Sequence, residues 1–340
     1  MKIVFFDTKN IERSFFDGNL IFDNLKIIYF HESLNFSTFL SEDVLDADIL
    51  CVFPASTLGK EILEKFYNLK FIVTRSVGFS HIDTEYCAQN GIRVATAQHY
   101  GDNTVAEYSF SLLLNLLRNI CPAAHDVRYG TIKQSYTGEE LHDKTIGILG
   151  TGAIGSKSVK IAHGFGMNIL ATDISPKVEL EDKYGVEYVS LEKLCAFSDV
   201  IMLHSPLTKD NYHIIDAGKI SLMKSNAVIV NTARGELIDT KALYNALLQK
   251  KIRGAALDVV ECEELFMSGK DNFDDEINSS CLKKTLINHV LLNLQNVIIT
   301  PHIAYDTANA VGRILELTLQ NISEFLKNKP VTNELNLHKK

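Results

Sequence analysis

The sequence predicts an α/β protein made of two doubly wound parallel sheets. Three observations point there. Short apolar, β-branched runs alternate with helical segments from Lys2 to Thr96. A second alternation of the same kind starts at Thr145. At 340 residues the chain also exceeds the size at which a single hydrophobic core stops growing.

In the first alternation the predicted strands are KIVFF (2–6), KIIYF (26–30), DILCVF (48–53), KFIVT (70–74) and IRVAT (92–96). Between them STLGKEILEKFYN (56–68) and DTEYCAQN (83–90) read as helices, the second ending at Gly91. TVAEYSFSLLLNLLRNI (104–120) follows. Thr104 and Glu107 fit a capping box, and the helix behind them is apolar nearly all round. Such a helix is expected to be buried between domains or subunits. The second alternation runs through TIGILG (145–150), MNILATD (167–173), VEYVS (186–190), DVIMLH (199–204), AVIVNTA (227–233), GAALDVV (254–260) and NVIIT (296–300). TKALYNALLQKK (240–251) is the clearest helix among these strands. In the last segment, DTANAVGRILELTLQNISEFLK, Val311, Ile314, Leu315, Ile322, Phe325 and Leu326 share one helical face, which could pack back on the first unit.

Composition narrows the function. The chain is 46% hydrophobic and 22% charged with a formal charge of −8, which argues against a nucleic-acid partner. Glu261, Glu263, Glu264, Asp271, Asp274, Asp275 and Glu276 cluster in one segment, read mostly as a solvated loop. The six cysteines (51, 87, 121, 195, 262, 281) show no CxxC pair and no metal-ligand spacing. Reduced thiols in a cytosolic compartment are the expectation. The apolar run in MKIVFFD is too short for a signal sequence or a membrane span. Asn115 and Arg118 interrupt SFSLLLNLLRNI, so it reads as a buried helix rather than a span. A cytoplasmic protein with no membrane partner is expected.

KTIGILGTGAIG carries more specific information. Gly150, Gly152, Ala153, Ile154 and Gly155 lie where a strand closes and a helix opens, and the next strand ends in Asp173. That is the complete βαβ unit of a Rossmann dinucleotide site. Gly150 permits the tight turn, Gly152 lets backbone approach a pyrophosphate, and Gly155 lets the helix close on the strand. Asp173 can accept from a ribose 2′-hydroxyl and would repel a 2′-phosphate, so NAD is preferred to NADP. A whole domain precedes the motif, which favours a dehydrogenase with a separate substrate domain over a flavoprotein.

Four polar residues fall at the carboxyl ends of strands in the same unit, where open α/β sheets bind ligands: Arg234, Asp258, Glu263 and His302. Together they suit reduction of a 2-keto acid. Hydride arriving at a carbonyl carbon leaves charge on the oxygen, and a histidine, with a free pKa of about 6.5, can supply the proton. A neighbouring carboxylate fixes the ring, and a guanidinium binds the substrate carboxylate in bidentate fashion. Glu261 and Glu264 compete with Glu263 for the carboxylate role. No second histidine or cysteine stands at ligand spacing from His302, so no metal is expected.

RSVGFSHID (75–83), NTVAE (103–107), GTGAIG with Asp173, HSPLT (204–208), NTARGELID (231–239), LDVVECE (257–263) and TPHIAY (300–305) stand in the order of a known family. Over almost its whole length the chain resembles the D-isomer-specific 2-hydroxyacid dehydrogenases, and within them the NAD-dependent D-lactate dehydrogenases. The resemblance implies that Arg234 binds the substrate carboxylate, His302 is the acid/base, and Glu263, rather than its neighbours, pairs with it. It implies further that Asp258 sits at the nicotinamide end and that Thr232 and Ala233 offer cofactor-contacting backbone. His204 and Pro206 would lie beside the adenosine and ribose, Val77 and Gly78 hold the substrate carboxylate through their amides, and Tyr100 is a substrate-side aromatic. It also implies a discontinuous flavodoxin-like catalytic domain (1–99 plus 302–334), an NAD-binding domain (100–301), and a homodimer involving the 104–120 helix.

Ser80 stands where the family often has an acid, and the Glu264–Asn288 segment is longer than in many relatives. That length resembles the lactate branch. Tyr305, three residues past His302, is either a pocket wall that suits pyruvate's methyl or ordinary core packing. The expected reaction is NADH-dependent reduction of a small 2-keto acid, pyruvate to D-lactate. The alternatives are a bulkier D-2-hydroxy acid (2-hydroxyisocaproate, phenyllactate) or, out of class, an NAD-sensing corepressor-like binding protein.

Overall fold

The computed structural model describes residues 1–23, 25–268 and 279–337. The chain divides into two compact units, Met1–Tyr100 with Thr307–Lys340, and Gly101–Asp306. The 302–306 turn stays with the second unit because Asp258 binds the amides of Ile303 and Ala304.

The first unit is a five-stranded sheet in the order β2-β1-β3-β4-β5. Its strands are β1 (Lys2–Phe5), β2 (Lys26–Tyr29), β3 (Ile49–Val52), β4 (Phe71–Thr74) and β5 (Arg93–Ala95), all paired in parallel. Every residue of β1, β3 and β4 is buried, as a parallel strand covered on both faces requires. The predicted 56–68 helix shrinks to Lys60–Leu63, because Leu58 is drawn into a bridge with Ile82. The final helix, Ala308–Leu326, does belong to this unit. It buries Leu315 and Ile322 in the core of Phe5, Phe71 and Val73, and Phe325 stacks on Phe71 with ring centres 4.3 Å apart.

The second unit is a seven-stranded parallel sheet in the order β12-β11-β10-β9-β6-β7-β8. Its strands are β6 (Thr145–Leu149), β7 (Asn168–Thr172), β8 (Glu187–Tyr188), β9 (Val200–Leu203), β10 (Val228–Asn231), β11 (Gly254–Leu257) and β12 (Val297–Ile299). The order reverses between β6 and β9, and at such a switch point the connections leave a crevice beyond the strand ends.

The long apolar helix spans Asp102–Arg118, with Gly101 as its N-cap. Thr104 therefore lies inside the first turn, buried, and the expected capping box does not form; Asp102 supplies the acidic group that the helix N-terminus favours. Phe110, Leu112, Leu113, Leu116 and Leu117 enter the core of β6, β9 and β10, so this unit's own sheet accounts for much of the apolar surface. Among the described residues, no helix is long and apolar enough to cross a membrane.

Candidate active site

β6 delivers the chain into the glycine turn. Gly150 has φ +91°, and a Cβ there would stand 2.9 Å from the Ser205 amide nitrogen. A Cβ on Gly155 would meet the Gly150 carbonyl oxygen at 1.9 Å. Both glycines are required by the fold itself. Gly152 is different: it caps the twelve-residue helix Ala153–Gly164, and a Cβ there would meet nothing within 4 Å. Open space beside a helix N-terminus with unpaired N–H groups is what a pyrophosphate needs, so the residues present fit a dinucleotide.

Asp173, just past β7, accepts from the Thr151 amide (2.5 Å) and hydroxyl (3.0 Å) through one oxygen and from the Ser175 amide (2.8 Å) through the other. Burial pushes its carboxyl upward, but the Ser175 and Thr151 donors outweigh this and hold it below the usual range. The carboxylate is thus anionic at the tip of the second strand, where a ribose hydroxyl would donate. His204 follows β9. Its Nε2 lies 2.7 Å from the Ser158 hydroxyl, and burial pushes the imidazole down to about 3, so the ring is neutral. Pro206, beyond it, is exposed.

Asn231, at the end of β10, shapes the next turn. Its side chain accepts from the Ala233 amide (3.0 Å) and donates to the Arg234 carbonyl (2.8 Å), while the Thr232 hydroxyl lies 2.8 Å from Ser109 Oγ. Arg234 is half-buried, and its Nη1 donates to the Ala233 carbonyl at 2.6 Å. A Cβ on Gly235 would lie 2.4 Å from the Glu261 amide nitrogen, so the turn that carries Arg234 rests directly on the backbone that leads to Glu263.

After β12, Pro301 ends the ladder and His302 takes φ +54°, a left-handed conformation that costs a non-glycine residue about 1 kcal/mol or more. Asp258 holds it there. Fully buried, it accepts from the Thr300 hydroxyl (2.6 Å) and the Ile303 amide (3.0 Å) with one oxygen and from the Ala304 amide (2.8 Å) with the other. Its carbonyl receives the His302 N–H at 3.0 Å. Asp258 thus anchors the histidine turn. The His302 side chain is 43% exposed and Glu263 26%, and Nδ1 meets Glu263 Oε1 at 2.6 Å.

The second unit therefore gathers Arg234, Asp258, Glu263 and His302 beyond the ends of β10, β11 and β12. Tyr305 is half-buried in the same unit. Val77, Gly78 and Tyr100 belong to the first unit. Val77 is exposed in the loop after β4, the Ser76 hydroxyl donates to the Gly78 carbonyl (2.6 Å), and Tyr100 is buried, its carbonyl accepting from Arg313 (2.7 Å).

Two expectations need correction. Glu261 is not part of a solvated loop: it is 1% exposed and surrounded by donors. Glu263 and Glu264 open the Glu263–Ser268 helix, while Asp271, Asp274, Asp275 and Glu276 lie outside the described residues. Nor are all six cysteines reduced. Cys262 and Cys281 form a disulfide, their Cα atoms 5.6 Å apart. Lys284 and Asn288, on the helix Ser279–Leu292, bind Glu261 and bring that helix against the turn, so two cysteines with no telling spacing meet. Cys51, Cys87, Cys121 and Cys195 are free; burial pushes Cys51 and Cys87 up to about 12 and Cys195 to about 11, so these three are poor nucleophiles.

Residues 110–304 match the family model described as D-isomer specific 2-hydroxyacid dehydrogenase, NAD binding domain. The chain is 37% identical over 331 residues to 2-hydroxyacid dehydrogenase homolog 1 of Schizosaccharomyces pombe, with 96% of each chain covered. Among solved structures it is similar to the D-lactate dehydrogenase of Aquifex aeolicus complexed with NAD and lactic acid, at TM-score 0.83 and 35% identity over 96% of each chain. A D-2-hydroxyisocaproate dehydrogenase gives TM-score 0.82 and 31% identity, with 98% of this chain and 99% of that one covered.

Proposed function

From the chain's membership of the D-isomer-specific 2-hydroxyacid dehydrogenases, an NAD-dependent family, we propose that it reduces pyruvate to D-lactate. Bound NADH supplies the hydride to the keto carbon. The chain's own residues handle charge and protons. Arg234 takes the substrate carboxylate and polarises the neighbouring carbonyl, with the Val77 and Gly78 amides as further carboxylate donors. His302 delivers a proton from Nε2 to the carbonyl oxygen as negative charge develops there.

The observation that carries this reading is the 2.6 Å contact between Glu263 Oε1 and His302 Nδ1. A carboxylate at Nδ1 requires a proton on that nitrogen, so the ring's exchangeable acid–base position is Nε2.

Pyruvate is preferred on two grounds, the long Glu264–Asn288 segment and the aromatic Tyr305 three residues past the histidine. The second reading, a bulkier 2-keto acid, draws support from the near-equal similarity to the D-2-hydroxyisocaproate enzyme. One or two methylenes in an apolar pocket change selectivity by only about 1–3 kcal/mol, so kinetics must decide. NADH oxidation by purified protein with pyruvate, 2-ketoisocaproate and phenylpyruvate, with chiral analysis of product, tests both readings. The highest kcat/KM is expected for pyruvate, with D-lactate formed; no turnover on any of the three would refute the proposal. A homodimer through the Asp102–Arg118 helix is part of the same reading, and sedimentation measures it.

A further inference from the structure

We infer that Glu261 is a positioning residue for the Glu263–His302 pair, acting through the turn they share. The inference rests on the proposed proton-transfer role of that pair. Glu261 cannot itself meet substrate as the catalytic carboxylate: it is 1% exposed and both its oxygens are engaged. One oxygen receives Lys284 Nζ (2.5 Å), His213 Nε2 (2.9 Å) and the Tyr212 hydroxyl (3.2 Å). The other receives the Thr240 hydroxyl (2.6 Å) and amide (3.2 Å), and the Glu261 carbonyl accepts from Asn288 (2.9 Å).

These partners come from three places: the 212–213 turn, the start of the Thr240–Leu248 helix and the Ser279–Leu292 helix. They converge two residues before Glu263. The residue between, Cys262, has φ +56° and is bonded to Cys281 on the same helix that provides Lys284 and Asn288. The turn is therefore held at two successive residues, by ion pairing at 261 and covalently at the left-handed 262. Glu263 follows as the first residue of a short helix whose Phe266 amide bonds back to the Cys262 carbonyl. A shift at 261 is transmitted to the Glu263 carboxylate. Gly235 rests on the Val260–Glu261 peptide, so the same shift reaches the neighbour of Arg234. A carboxylate that five donors, one of them a cation, hold in place leaves its chain segment little freedom.

A double-mutant cycle with E261Q and E263Q tests this, read as NADH oxidation with the best keto acid of the panel. E261Q is expected to lower kcat about tenfold or more with the KM for NADH within about twofold, since a displaced proton relay is costly. In the E263Q background E261Q should cause no further loss. Full multiplication of the two losses would overturn the inference, because Glu261 would then act independently of Glu263. If E261Q fails to fold, K284Q, which removes one partner, takes its place in the same cycle with a smaller loss expected and the same criterion. Unchanged turnover in E263Q alone would instead refute the proton-transfer reading beneath it.

Discussion

Glu263 and His302, 39 positions apart in sequence, meet at 2.6 Å through one carboxylate oxygen and one ring nitrogen, both partly open to solvent. Each comes from a turn that is immobilised by a different buried acid: Asp258 holds the histidine turn, and Glu261 holds the glutamate turn. In the proposed reaction the exposed pair is the one that meets the substrate, and the buried pair keeps it in register.

If His302 moves the proton, His302→Ala should lose about 10²–10⁴-fold in kcat, the usual worth of general acid catalysis. Glu263→Gln should lose less, since the ring remains. Both should bind NADH as the parent does, measured by fluorescence titration. A His302→Ala variant within about threefold of parent kcat would rule the role out.

Asp173 makes a prediction about cofactor choice. Its anionic carboxylate should repel a 2′-phosphate and accept from a 2′-hydroxyl. Asp173→Ser should weaken NADH while relieving the repulsion, raising the NADPH:NADH ratio of kcat/KM by about tenfold or more. An unchanged ratio in steady-state kinetics would mean that the ribose lies elsewhere.

Asp258 is expected to act on turn geometry more than on ligand affinity. Asp258→Asn presents an NH2 group to at least one of the donors now satisfied, so it should cost about 2–3 kcal/mol of stability, measurable by urea unfolding. It should also lower kcat, because His302 depends on the same turn. A variant that is fully stable yet cofactor-deficient would instead assign Asp258 a direct nicotinamide contact.

Buried parallel strands read as unbroken apolar runs, and the twelve strands among the described residues, most of them buried, stand inside the predicted segments, several trimmed at their ends. Helices depended more on tertiary context. Leu58 looked helical until Ile82 claimed it, and Thr104 satisfied a local capping rule that a helix starting at Asp102 made irrelevant. In the site, Arg234 and His302 were legible because strand ends deliver them. Local sequence alone could not rank Glu261 against Glu263. Their difference is burial, and it is set by Lys284, His213 and Thr240, which lie 23, 48 and 21 positions away. The Cys262–Cys281 bond has the same origin: the packing that buries Glu261 brings the two sulfurs together.

The Glu261 network also sets a pH window. Burial raises the Glu261 carboxyl, but Lys284 and then Thr240 and His213 outweigh it and hold its pKa below the ordinary glutamate value. A depressed carboxylate stabilises the fold fully above its unfolded pKa of about 4.3 and loses that contribution as pH falls through the folded value. Lys284 is shifted the other way: burial lowers it, but Glu261 and Tyr212 raise it further, so its share is intact below about 10.4 and fades as pH climbs through the folded value. Between these limits the pair's contribution should be flat. E261Q, which leaves Lys284 without its buried partner, should cost about 3–5 kcal/mol near neutrality. As pH falls through the depressed folded value the parent protonates the same site, so the gap in melting temperature between parent and variant should narrow. Melting curves of both proteins from pH 3 to 9 give the answer, and a gap that stays constant down the acid limb would show that Glu261 is not ionised in the fold.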